Sequence, residues 1–208
     1  KDLAKAIVKR YPFIDYGIIG NSLCGRDIDY LSLGNKDNAV LFVGGVHGME
    51  WLTSLVLLLY LERLSEAYEK DGEISGIKIK PYLDEQGIVI VPMLNPDGVE
   101  ISLHGEDAAC AYKNLVRDVS NGNTASWQAN ARGVDVNHNF DANWEAVRQK
   151  ELSSNINGPA PTRYGGPSPL SEPESTAIIE FFEKNNFKHL VAFHSQGEEI
   201  YWDFGENT

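Results

Sequence analysis

Continuous apolar runs mark three places in the chain where a strand buried on both faces is expected. Residues 39–43, 87–92 and 190–193 are almost entirely apolar, and Val occurs in all three. Such runs are typical of the central strands of parallel or mixed sheets. Residues 16–22 and 28–33 are more mixed in character and predict two short strands on either side of a turn.

Apolar residues at helical spacing predict helices around these strands. Residues 3–10 form a short amphipathic pattern, and a longer pattern follows residue 50, with one apolar face made of Leu52, Leu55, Val56, Leu59 and Tyr60. Ser171 is a natural N-cap for a third helix, and Glu174 completes a capping box with it. Strands alternate with helices from residue 39 onward. This order predicts an α/β fold, a three-layer α/β/α sandwich around a mixed, mostly parallel twisted sheet.

Residues 104–132 are polar and irregular in pattern. They predict a long surface loop with some helix. Loops of this length are uncommon in compact domains unless they are functional.

Composition and charge exclude several classes of protein. The chain has 208 residues, enough for one domain with a sizeable core, and its net charge is −12. So acidic a chain lacks the basic face that a nucleic-acid partner requires. No apolar run reaches the ~18 residues that a membrane span needs.

Two cysteines, Cys24 and Cys110, are too few for a disulfide scaffold. They form either one bridge or two free thiols, and two unpaired residues are expected. The sequence starts at Lys1, with no signal-like apolar segment after it. A targeting segment that had been removed would leave the same start, so cell-wall-associated, secreted and cytoplasmic locations all stay open.

Polar side chains that bind metals follow two of the predicted strands. His47 and Glu50 are three residues apart at a junction of strand and helix, and His194 directly follows the last apolar run. In α/β sheets, sites form at the carboxyl ends of the strands. Two imidazoles and one carboxylate form the three-ligand set of a catalytic zinc, which keeps a fourth position for water. A lone His-x-x-Glu pair is a weak signal, and a histidine held by local hydrogen bonds is the competing interpretation.

Four blocks make the zinc interpretation specific, because together they resemble the zinc carboxypeptidases. The blocks are 45–51 (GVHGMEW), 91–98 (VPMLNPDG), 133–140 (GVDVNHNF) and 192–196 (AFHSQ), in the order of that family and across nearly all of the chain. The resemblance implies a single zinc-peptidase catalytic domain over residues 1–208, with one Zn²⁺ held by His47, Glu50 and His194. It also implies hydrolysis of a peptide amide bond by a zinc-activated water.

The resemblance further implies roles for residues around the metal. Asp135 is expected to hydrogen-bond His47, and Asn137 is expected to bind a substrate carboxylate together with His138. The family places an Arg at position 138, where its planar fork grips that carboxylate, and histidine cannot reproduce the two parallel bonds. The family also often has an Arg at position 128. Here Gln128 offers a neutral donor, and Arg132 is either the charge that replaces it or a solvated loop residue.

The family's general base is a glutamate well downstream of the second zinc histidine. Glu198 and Glu199 are too close to His194 along the chain to match that position, and they are expected to flank a strand at 200–202. The base is therefore expected beyond Thr208, in a domain that is longer than the sequence given.

Segments 127–132, 163–167 and 171–174, together with the Asn-His pair, resemble a bacterial subgroup, the γ-D-glutamyl-diaminopimelate peptidases. The implied substrate is a peptidoglycan stem peptide. Three alternatives stay open. They are a conventional metallocarboxypeptidase that releases C-terminal residues, a zinc deacylase of small acylated amino acids, and a non-catalytic zinc-binding module on the same fold.

Overall fold

Five of the seven strands form one mixed sheet. The structure, a computed structural model, describes residues 2–185 and 187–202. Its strands are β1 (Asp15–Asn21), β2 (Asp27–Leu33), β3 (Ala39–Val43), β4 (Glu73–Ile74), β5 (Ile77–Lys78), β6 (Gly87–Val91) and β7 (Leu190–Ala192). The large sheet has the order β1-β2-β6-β3-β7, and β4 and β5 form a separate hairpin. The pairs β1·β2 and β2·β6 are antiparallel, whereas β6·β3 and β3·β7 are parallel.

Helices cover both faces of this sheet. They are α1 (Asp2–Arg10), α2 (Leu52–Glu69), α3 (Ile79–Glu85), α4 (Pro96–His104), α5 (Lys113–Ser120), α6 (Trp144–Ser153) and α7 (Pro173–Asn185). Ile88 and Ile90 of β6 pack with α1, α2 and α3, whereas Val89 and Val91 pack with α7 on the opposite face. Because successive side chains of a strand point to opposite faces, one apolar strand supplies both cores. The predicted three-layer α/β fold is confirmed.

Helix α2 turns a different face to the core from the one expected. Leu57, Leu58, Leu61 and Leu64 are buried, whereas the predicted apolar face of Leu52, Leu55, Val56, Leu59 and Tyr60 is 39–59% exposed. The helix is apolar over most of its circumference. Periodicity alone therefore does not determine which side meets the sheet.

Strand β7 is exposed, where a buried strand was expected. It lies at the edge of the sheet, and Leu190 and Val191 are 40% and 42% exposed. The strand expected at 200–202 does not form in the described part of the chain, where Ile200, Tyr201 and Trp202 are 86–91% exposed. Among the helices of the described residues, none has the length and apolar character that crossing a bilayer requires.

The second half of the expected surface loop is interior. Trp127, Ala129 and Ala131 are fully buried in a third apolar cluster with Ile101 and Val116. Irregular backbone can be buried when its polar groups find partners. Here the carbonyl oxygens of Trp127 and Gln128 accept hydrogen bonds from Met49 N and Gly48 N, at 2.8 and 3.0 Å.

Cys24 and Cys110 are joined in a disulfide, so the expectation of two unpaired thiols was wrong. The bridge links the turn between β1 and β2 to the 3₁₀ segment Glu106–Tyr112 that follows α4. These positions are 86 residues apart in sequence. Only the fold brings the two cysteines together, and their spacing in the sequence does not indicate that they pair.

Candidate metal centre

The loop between β3 and α2 carries the first two metal-binding residues in a fixed conformation. Gly45 N donates to Thr53 Oγ1 at 2.8 Å, and that hydroxyl donates to Glu50 O at 2.8 Å. A short 3₁₀ turn, Gly48–Glu50, then places Glu50 one turn after His47. Gly48 is packed so closely that a methyl group there would collide with the backbone of Gly98 and Trp127. The spacing of His47 and Glu50 is therefore held by backbone contacts on several sides.

Asn95 supports this loop from the neighbouring strand. It is fully buried, and its Nδ2 atom donates to Val46 O and Ala129 O at 3.1 Å each. Its Oδ1 atom accepts from Gly98 N at 2.8 Å and caps α4. One amide side chain thus joins the metal-site loop, the start of α4 and the buried segment around Trp127.

Three donor atoms converge at the carboxyl ends of the parallel strands β3 and β7. Glu50 Oε2 lies 3.2 Å from His47 Nδ1 and 2.9 Å from His194 Nδ1, and the two Nδ1 atoms are 3.2 Å apart. Ligands about 2.0–2.1 Å from a tetrahedral zinc ion are separated by about 3.3–3.4 Å. Two of the separations are within about 0.2 Å of this spacing, and the third, between Glu50 and His194, is shorter at 2.9 Å. Each of these three side chains offers one ligand atom, and the three atoms are close enough together to hold one metal ion.

Asp135 lies behind His47. Its Oδ1 atom is 3.3 Å from His47 Nε2, and the carboxylate accepts hydrogen bonds from Arg163 N at 2.8 Å and Asn137 N at 3.1 Å. A carboxylate on Nε2 keeps the proton on that nitrogen, so the lone pair of Nδ1 is directed at the metal position. The side chain that orients the ligand is itself fixed by the backbone.

The charges around these histidines favour a bound cation. Burial alone would lower the pKa of His47, but Asp135 and Glu50 outweigh burial and raise that pKa to about 9. Burial alone would raise the pKa of Glu50, but hydrogen bonds from His194 and His47 hold it at about 2. Burial alone would also raise the pKa of Asp135, but its contact with His47 lowers it. Both carboxylates therefore stay ionised, and a divalent cation neutralises them when it displaces the proton that His47 carries in the metal-free site. The donor set and its charge fit zinc.

We expect Asp135→Asn to weaken zinc binding by about 10–100-fold, because the neutral amide no longer strengthens His47 as a ligand. Competition with a chromogenic chelator measures the affinity. The exposed Asp141 supplies the matched control, Asp141→Asn, which is expected to bind zinc as the unmodified protein does. An unchanged affinity in Asp135→Asn would mean that Asp135 does not orient the ligand.

Asn137 and His138 lie in the 3₁₀ turn Val136–His138, which directly follows Asp135. Asn137 is exposed, and the side chain of His138 is 28% exposed. The Nδ1 atom of His138 lies 3.1 Å from Glu151 Oε1. Both residues are thus accessible beside the metal centre, and their role in binding a substrate carboxylate stays a prediction.

Gln128 and Arg132 have defined partners. Gln128 Oε1 accepts from the hydroxyl of Thr162. Arg132 Nη2 donates to Glu172 Oε2 at 3.0 Å and to Ser171 O at 3.2 Å. The side chain of Glu172 is fully buried, so this ion pair anchors the loop of Arg132 to the start of α7. Their roles at the oxyanion stay predictions, and for Arg132 the geometry favours anchoring.

The start of α7 differs from the expected capping box. The helix begins at Pro173, and the hydroxyl of Ser171 donates to Glu172 Oε1 at 2.7 Å. Glu174 is buried, and burial raises its pKa to about 7. The sequence pattern predicted a place for Glu174 in a capping box. Nothing in the local pattern reveals that this helix start is buried.

The sequence matches known proteins over its whole length. The family profile described as zinc carboxypeptidase matches residues 1–208. The γ-D-glutamyl-L-diamino acid endopeptidase 1 of Lysinibacillus sphaericus is 34% identical over 202 residues, which cover 96% of this chain and 50% of that protein. Mast cell carboxypeptidase A of Mus musculus is 26% identical and matches 90% of this chain and 41% of its own length.

Solved structures of other proteins have a fold similar to that of this chain. Bovine thrombin-activatable fibrinolysis inhibitor, solved with a tick carboxypeptidase inhibitor, has a TM-score of 0.65 at 22% identity, covering 94% of this chain and 58% of that one. The murein-tripeptide amidase of Escherichia coli O157 has a TM-score of 0.51 at 22% identity, covering 86% and 61%.

The chain spans about half the length of the curated relatives it matches. Within that half, the profile match is continuous, and the predicted metal ligands converge at the carboxyl ends of β3 and β7. The chain belongs to the zinc carboxypeptidase family.

Proposed function

We propose that this protein is a zinc-dependent peptidase that hydrolyses an amide bond in a peptide carrying a free carboxylate close to the cleaved bond. The convergence of His47, Glu50 and His194, with Asp135 behind His47, carries this proposal. When bound, zinc supplies a Lewis acid and an activated water. The protein's part is to hold the ion through two imidazoles and one carboxylate while leaving a coordination position for water.

The other residues of the site position the substrate. Asn137 and His138 are placed to bind the substrate carboxylate, and Gln128 is the candidate donor to the oxygen of the scissile carbonyl. Preorganised donors of this kind stabilise the charge that develops there. The general base stays a prediction. It is expected beyond Thr208, outside the described residues.

Peptidoglycan stem peptides are the substrate class that we propose. One relative at 34% identity is named for cleaving γ-D-glutamyl-L-diamino acid bonds. The replacement of the family's Arg by His138 supports this choice, because a changed carboxylate grip fits a substrate other than an ordinary C-terminus. Zinc-dependent release of ordinary C-terminal residues is the main competing activity.

Hydrolysis by the whole natural protein, loaded with zinc, tests the proposal. We expect cleavage of the γ-D-Glu bond in an L-Ala-γ-D-Glu-diaminopimelate peptide, with slower turnover of a simple C-terminal peptide and of an acylated amino acid. Faster release of ordinary C-terminal residues would identify a conventional carboxypeptidase. A preference for the acylated amino acid would identify a deacylase. Bound zinc without turnover on any of the three would identify a non-catalytic module.

A further inference from the structure

We propose that Glu151 is a positioning residue that holds the ring of His138 so that its Nε2 atom binds a carboxylate of the substrate. The inference rests on the proposed function, since it concerns how that substrate is recognised. It adds a residue, on helix α6, that no sequence motif singled out.

Glu151 is buried and has a partner for each oxygen. Its side chain is 3% exposed. Oε1 is 3.1 Å from His138 Nδ1 and accepts from Gly165 N at 3.1 Å, while Oε2 accepts from Arg148 Nη1 at 2.9 Å. A buried carboxylate is costly unless it is fully hydrogen-bonded, and here two side chains and one backbone amide satisfy it.

Arg148 is itself fixed, so the carboxylate has a defined position. Its guanidinium donates to Ile156 O at 2.9 Å and Asn157 O at 3.2 Å, and it lies 5.1 Å from the centre of the Tyr164 ring. At the start of the same helix, Trp144 Nε1 donates to Gly165 O at 2.9 Å. Helix α6 is therefore tied to Gly165 at its start and, through Arg148, to the segment that follows it, and these contacts fix Glu151 beside His138.

The hydrogen bond to Glu151 decides which nitrogen of His138 is available. A carboxylate accepts only, so Nδ1 carries a proton and donates to it. Nε2 is then the nitrogen left for a ligand, on a ring whose side chain is 28% exposed. A carboxylate ligand requires a donor at this atom. In the complex the ring is therefore an imidazolium, which donates to Glu151 through Nδ1 and to the substrate through Nε2.

The local charges suit an imidazolium at position 138. The charge of Glu151 is matched by Arg148, and Asp135 is a further carboxylate near enough for its charge to interact with that of His138. A protonated His138 thus has two carboxylates nearby, and the substrate supplies a third. The histidine and glutamate together replace the single arginine that the family resemblance led us to expect at position 138.

Kinetics with paired substrates tests the inference. The substrates are one peptide with a free carboxylate and the same peptide as its carboxamide, and the quantity is the ratio of their kcat/KM values. We expect the unmodified protein to prefer the acid by about tenfold or more, because a hydrogen bond between charged groups contributes enough free energy for a ratio of that size. His138→Gln should bring the ratio close to one. Glu151→Gln should lower it at least about fivefold, mainly through KM for the acid.

Glu145→Gln is the matched control, because Glu145 is exposed on the same helix and accepts a hydrogen bond from Gln149, one turn further along it. It should leave the ratio unchanged. A Glu151→Gln protein that keeps the full preference for the acid would overturn the inference, because a merely structural role affects both substrates alike. An unchanged ratio in His138→Gln would overturn it as well.

Nitrogen NMR of His138 keeps the inference testable if Glu151→Gln fails to fold or the protein turns over no peptide. We expect the unmodified protein to have His138 protonated at Nδ1, and to become doubly protonated when a non-hydrolysed dicarboxylate peptide is added. The signal is assigned by its loss in His138→Gln. A neutral ring protonated at Nε2 would contradict the role of Glu151. Absence of hydrolysis with the expected NMR result would count against the proposed function alone.

Discussion

We expect zinc content to fall to background, and hydrolysis to fall by at least about a thousandfold, when His47 or His194 is replaced by alanine. Each substitution removes one of three donors that lie 2.9–3.2 Å from one another. Lewis-acid activation is worth several kcal/mol of transition-state stabilisation, and each 1.36 kcal/mol is a factor of ten in rate. Metal analysis after dialysis and the rate of peptide cleavage measure the two effects on one preparation.

His104→Ala is the matched control for both variants. His104 is exposed on α4, and its Nε2 atom lies 3.6 Å from Glu100 on the same helix. We expect that variant to keep its zinc and its activity. Full zinc occupancy in His47→Ala and in His194→Ala would place the metal elsewhere in the protein.

Replacing Cys24 and Cys110 by alanine is expected to lower the free energy of unfolding by about 2–5 kcal/mol. The bridge closes a loop with a sequence separation of 86. For a loop of that length, the chain-entropy relation gives about 4.6 kcal/mol at 25 °C, which is an upper value since the denatured state is not fully expanded. Urea unfolding under non-reducing conditions measures the loss.

Neighbouring contacts limit the damage to the zinc site. Asp97 still accepts from Ser22 Oγ at 2.7 Å and from Arg26 Nη1 at 2.5 Å, so the turn between β1 and β2 stays tied to the start of α4. We expect the double variant to unfold at a lower urea concentration than the unmodified protein, and to retain zinc as long as it stays folded. A loss under about 1 kcal/mol, or equal stability of the unmodified protein with and without reductant, would mean that the bridge does not form in solution.

The sequence predicted the central strands and the metal-binding residues because both depend on local patterns. The run at 39–43 matches β3, and β6 ends one residue before the predicted boundary. His47 and His194 follow two adjacent parallel strands, so their convergence follows from topology. The order of the strands indicated where the ligands meet, and the resemblance of four blocks to the zinc carboxypeptidases made the zinc prediction specific.

Burial was much harder to predict, because it depends on contacts between distant segments. Residues around Trp127 are polar in pattern, yet they lie in the interior, where their carbonyls accept from the metal-site loop. Glu151 lies in a polar helix with no apolar face to mark its buried side, and only the partners supplied by residues 138, 148 and 165 make its burial tolerable. Such partners are set by the tertiary fold and leave no local signal.

X-ray absorption at the zinc edge, on the whole natural protein purified without added metal, tests whether His47, Glu50 and His194 hold a zinc ion. We expect one zinc per chain, bound by two nitrogen atoms at about 2.0–2.1 Å and by oxygen from a carboxylate and a water. The spectrum should lose one nitrogen neighbour, or the zinc altogether, in His194→Ala. A protein without zinc, or with zinc in a sulfur-containing or all-oxygen site, would contradict the assignment of His47, Glu50 and His194.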